Sequence, residues 1–74
     1  MPFVSVRIVR QLIADDPAGK KAEIGREIAR AVSRVTGLGE DQVWVVFEEV
    51  DEGDWMVGRR TAREMGAGPP TTRV

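Results

Sequence analysis

Val43-Trp44-Val45-Val46-Phe47-Glu48 is the segment that most restricts how this chain can fold. Side chains alternate across a strand, so Val43, Val45 and Phe47 share one face and Trp44, Val46 and Glu48 the other. A strand apolar on both faces is ordinarily covered on both, as in parallel sheets. A second strand is expected over Phe3-Val4-Ser5-Val6-Arg7-Ile8-Val9, with Val4, Val6 and Ile8 on one side and Phe3, Ser5, Arg7 and Val9 on the other. Between the two, Asp16 reads as a helix N-cap and Pro17 as the first helical residue, where a missing N–H costs nothing. The spacing predicts a helix to about Thr36, ended by Gly37 as a left-handed cap. Its apolar stripe is Ile24, Ile28, Ala31, Val32 and Val35, with Glu23–Arg26 and Glu27–Arg30 pairs on the wet side.

Strand, helix and strand form a βαβ unit with parallel strands, in an α/β (α+β) fold. One helix covers only one face of a two-stranded sheet. Phe3, Trp44 and Val46 on the other face are then left in water, and two strands are too few for independent stability. A chain of 74 residues is a single small domain that buries only about 60% of its unfolded surface. Cysteine and histidine are absent. That removes disulfides and thiolate or imidazole metal sites, and no metal site is expected. Partner subunits are the remedy left, and an obligate symmetric oligomer is the expectation.

After Val50 the turn Asp51-Glu52-Gly53-Asp54 leads to Trp55-Met56-Val57-Gly58, expected as a short hairpin or extended arm. Residues 1–66 form the domain. Residues 67–74, from Ala67 through Gly68-Pro69-Pro70 to Val74, have the composition of a flexible tail.

Eleven basic and twelve acidic side chains give a net charge of −1. A nucleic-acid or anionic-membrane binder would carry a basic excess, so neither partner is expected. No apolar run approaches the roughly 20 residues that cross a bilayer, and no signal-peptide core is present, so a cytoplasmic protein is expected. The charges are nonetheless segregated. Glu40, Asp41, Glu48, Glu49, Asp51, Glu52 and Asp54 occupy a stretch without basic residues, and Arg59, Arg60 and Arg63 follow. The two blocks are either solvated or face each other across subunits.

The same composition prunes the chemistry. Without histidine, cysteine or tyrosine, the candidate proton carriers are the carboxylates, Lys20, Lys21 and the amino terminus. Met1-Pro2 opens the chain. Methionine before a small residue is normally trimmed, which would leave a secondary amine at the head of the first strand. A free α-amino group titrates near ~7.7–8.0, and burial or nearby cations lower that further. A small second residue is also common for no functional reason, so Pro2 alone does not decide.

Taken together, Met1-Pro2, a βαβ unit of this length and the closing Gly53-Asp54-Trp55-Met56-Val57-Gly58 resemble the 4-oxalocrotonate tautomerase family over roughly residues 2–60. The resemblance implies an isomerase that needs no cofactor. It implies a hexamer built as a trimer of dimers, with a dimer as the simpler alternative and a second kind of chain allowed. The amino-terminal proline, here Pro2, would shuttle a proton on an enol or dienol small-molecule substrate. Trp55 matches the aromatic residue that walls this proline, and it also suits a staple onto a neighbouring subunit.

Two family arginines are missing. Trp44 stands at one position, and Asp15 or Asp16 at the other. Arg10, and further in Arg7, are the nearest cations left to hold an anion, with Trp44 and Trp55 lining the site. A dicarboxylate would lose about 1.5–3 kcal/mol per absent charge-assisted pair, so a less charged, more aromatic enol is expected. Glu48 shares a face with Trp44 and is a candidate pocket carboxylate. Water-activating glutamates beside a cationic proline occur in the related dehalogenases, which makes a hydratase or dehalogenase-like activity one alternative. A non-catalytic subunit or binding module is the other.

Overall fold

The computed structural model describes residues 2–66, so the tail over 67–74 and the trimming of Met1 lie outside the described residues. Strand β1 runs Phe3–Val9, helix α1 Pro17–Thr36 and strand β2 Trp44–Val50. β1 and β2 pair in parallel, with Phe3 opposite Trp44, Ser5 opposite Val46, Arg7 opposite Glu48 and Val9 opposite Val50. The expected βαβ unit is therefore present. β2 starts one residue later than its apolar run and continues two further, because Val43 closes a short turn over Glu40–Gln42.

Both helix ends form as their residues dictate. The Asp16 side chain accepts from the Gly19 N–H at 3.2 Å, and Pro17 opens the first turn. Gly37 adopts φ 84° and donates its N–H to the Ser33 carbonyl at 2.8 Å, a left-handed cap that suits glycine. The stripe itself is shifted from the expected one. Ile24, Ile28 and Val32 are half-buried, joined by Gly25 and Ala29, whereas Ala31 is exposed and Val35 is 74% exposed. Twenty helical residues span about 30 Å. Seven strand residues span only about 23 Å, so the last turn of α1 outruns the sheet. On the wet side Glu27–Arg30 forms at 2.8 Å. Glu23–Arg26 is not among the ion pairs of the described residues, and Arg26 instead borders a groove beside β2.

α1 covers the side of the sheet that carries Val45 and Phe47; a Cβ at Gly25 would lie 3.6 Å from the Phe47 ring. The connection between β1 and α1 holds a helical turn over Arg10–Ile13 that buries Ile13. After β2 a turn over Glu52–Asp54 leads to a two-stranded hairpin, β3 Met56–Val57 with β4 Arg60–Thr61. Gly58 at its tip has φ 66°. Among the described residues the buried apolar side chains are only Val9, Ile13, Val43 and Ala62.

Candidate functional site

Proline cannot donate to a ladder, so Pro2 sits just ahead of β1, and its carbonyl accepts from the Trp44 N–H at 3.1 Å. Pro2 is half-buried. Beside it the register places Phe3 against Trp44, with Val46 two residues along on the same face. These three are 63%, 56% and 47% exposed, so the face opposite α1 is uncovered at this end, as the alternation requires.

Farther along the same face Arg7 stands opposite Glu48, and the Arg7 Nε donates to Glu48 Oε1 at 2.8 Å. Arg7 also borders a pocket of about 240 Å³ shared with Val50, Asp54, Trp55 and Met56. Trp55 is half-buried and reaches this far end of the sheet because the chain turns back after β2. Arg10, beyond β1, is engaged elsewhere: its Nη2 donates to Asp51 Oδ1 at 3.1 Å.

Asp51 collects more than that one donor. Gln11 Nε2 donates to Oδ1 at 2.9 Å, while the Gly53 N–H and Arg63 Nη2 donate to Oδ2 at 2.8 and 3.0 Å. Its carboxyl is held below the ordinary 3.8, first by the Gln11 hydrogen bond and then by the Gly53 N–H, with Arg63 and Arg10 adding charge. Gly53 fits because a Cβ there would come within 2.9 Å of Arg63 Nη2 and 3.0 Å of Asp51 Oδ2.

The expected site residues thus fall into two groups within one protomer. Pro2 and Trp44 stand at one end of the sheet, Trp55 and Arg10 at the other, with Arg7 and Glu48 between. Phe3 to Val9 alone is about 20 Å of strand. Asp51, Gln11, Asp54 and Met56 were not singled out from the sequence. The Asp51-x-Gly53 turn signal was legible; that Gln11 would meet it 40 residues away was not.

The family model described as "Tautomerase enzyme" matches residues 2–64. Comparisons with curated proteins and with solved structures return no significant match.

Proposed function

The chain belongs to the tautomerase family, and on that premise we propose that it is a keto–enol tautomerase whose general base and acid is the amino-terminal nitrogen of Pro2, freed by removal of Met1. The observation that carries this reading is the position of Pro2. It heads β1, its carbonyl accepts from the Trp44 N–H, and its neighbours Phe3 and Trp44 are exposed on the uncovered face of the sheet. An apolar wall disfavours the charged amine, so the nitrogen is neutral and accepts a proton near pH 7. It takes the proton from the enol hydroxyl and returns it to carbon; the O–H bond breaks, a C–H bond forms and C=C becomes C=O. No electrons change hands, so the chain's own groups suffice.

The two cations expected from the sequence to hold an anion are both paired, Arg7 with Glu48 and Arg10 with Asp51. That arrangement favours an aryl enol with at most one carboxylate, such as an aryl enolpyruvate, over a dicarboxylate. Because Pro2 and Trp55 lie at opposite ends of one sheet, a second copy supplies the aromatic wall. Packing of the uncovered face carrying Phe3, Trp44 and Val46 against another protomer supports a hexamer, with a dimer as the minimal unit.

A non-catalytic subunit is favoured by the residues at the two positions where the family resemblance implies arginines, which here are Trp44 and Asp15 or Asp16. The hydratase alternative is weaker, since Glu48 is tied to Arg7 and lies about 13 Å along β2 from Trp44. The deciding experiment compares protein starting at Pro2 with protein that retains Met1, both checked by intact mass. The trimmed form should ketonise aryl enolpyruvates and the blocked form should not. Equal turnover by both would make Pro2 structural and put the base elsewhere, and turnover by neither would leave the non-catalytic reading.

A further inference from the structure

The Asp51 carboxylate takes two donors on each oxygen, Arg10 Nη2 and Gln11 Nε2 on Oδ1, the Gly53 N–H and Arg63 Nη2 on Oδ2. A carboxylate accepts about four hydrogen bonds, so this one is filled and has nothing left to offer a substrate. Its donors are not filled in the same way. Arg10 spends only Nη2 on Asp51, its side chain is half exposed, and its Nη1 and Nε take no part in the hydrogen bonds of the described residues. An arginine fixed through one nitrogen keeps its planar fork oriented and its other donors free. Glu52 lies 3.9 Å from Arg63, so two arginines stand against two carboxylates here. Arg10 therefore holds an anion through its free N–H groups, with no net positive field to help.

Gln11, the residue after Arg10, crosses to the same turn twice. Its Nε2 donates to Asp51 Oδ1 at 2.9 Å, and its Oε1 accepts from the Glu52 N–H at 3.1 Å. The Asp54 N–H closes the turn on the Asp51 carbonyl at 2.8 Å, and the carbonyl of Trp55, the next residue, accepts from the Ala62 N–H at 2.7 Å. The chain that carries Arg10 and the chain that carries Trp55 are thus joined at one carboxylate. We propose that Asp51 is a positioning residue, which holds Arg10 and Trp55 of one protomer as a single unit that grips the carboxylate and the aryl ring of the same ligand. The choice of ligand rests on the tautomerase reading, in which this end of the sheet meets the Pro2 of another copy. The Arg7–Glu48 pair is no equivalent, since its side chains are 71% and 59% exposed and it joins no second segment to the site.

Calorimetric titration of the full, trimmed chain with phenylpyruvate and with phenylacetone, which has a methyl group in place of the carboxylate, reads this unit without needing turnover. D51N should weaken phenylpyruvate about tenfold and phenylacetone by no more than about threefold. R10A/D51N should bind phenylpyruvate no more weakly than R10A, because Asp51 acts on the anion through Arg10. In a W44F background Trp55 is the only tryptophan, and D51N should move its emission to longer wavelength as the arm loosens. Gln11→Ala keeps the charge and three of the four donors, and serves if D51N does not fold; it should weaken phenylpyruvate about threefold. Unchanged phenylpyruvate affinity in the folded variant overturns the proposal. So do equal losses on both probes, additive losses in R10A/D51N, an unmoved Trp55 emission, or an unmodified chain that binds neither probe. Failure of the tautomerase reading looks different: the trimmed chain binds phenylpyruvate through Asp51 and Arg10 but ketonises no enol.

Discussion

Asp51 ties three separate parts of the chain together, since Arg10 and Gln11 follow β1, Gly53 lies in the next turn and Arg63 follows β4. Its folded carboxyl titrates below the ordinary 3.8, so its contribution is fully present above 3.8 and is lost as pH falls through the lower folded value. Protection of the amides over 52–63 should hold from neutral pH down to that acid window and then fall. Hydrogen exchange measured against pH checks this, and Asp51→Asn should abolish the step. Asp15, lowered chiefly by its hydrogen bond from Lys20, gives a step of the same sign at the start of α1. Arg10 has one observed partner, Asp51, and one proposed role, holding a substrate anion. On the proposed reading Arg10→Ala raises KM for an enol carboxylate by about tenfold with kcat unchanged and leaves a neutral enol unaffected. Equal losses on both substrates would show that Arg10 serves only the contact with Asp51.

Helix α1 is held at both ends by local chemistry, and each cap can be tested alone. Asp16→Ala removes the acceptor of the Gly19 N–H and should cost about 1 kcal/mol. Gly37→Ala forces a Cβ into φ 84° and should cost about 1–2 kcal/mol. In a domain of this size each kcal/mol lowers Tm by roughly 4–8 °C, readable by thermal circular dichroism. Val35→Ala in the overhanging last turn should change stability by no more than about 0.5 kcal/mol, because the side chain is already 74% exposed. The sequence stripe would instead have assigned it a core truncation.

At the scale of the whole molecule, the protomer is short of a core. Among the described residues no side chain is fully buried, and Phe3, Trp44 and Val46 remain exposed on one sheet face. The described helices include none long and apolar enough to cross a membrane. The proposed assembly therefore draws on apolar burial between protomers, and stability should depend on protein concentration. The unmodified chain should sediment well above 8.2 kDa at micromolar concentration. Phe3→Ser with Trp44→Ser should shift it toward smaller, less stable species and lower Tm. A folded monomer of unchanged stability would refute face-to-face packing.

Alternation at 3–9 and 43–48, the Asp16-Pro17 start and the Gly37 stop determined the βαβ unit and its uncovered face, because strand period, capping and left-handed glycine are properties of neighbouring residues. Those same local patterns placed Pro2 at the head of a strand. The tertiary structure alone decided that Arg10 and Gln11 would converge on Asp51, that Arg7 would be neutralised by Glu48, and that Trp55 would stand at the far end of the sheet from Pro2. Each of those outcomes depends on strand register or on the path of the arm after β2, and both couple residues about 40 positions apart. Helix periodicity likewise could not reveal that α1 is longer than the sheet it covers; only the lengths of both elements, set side by side, leave Val35 in solvent.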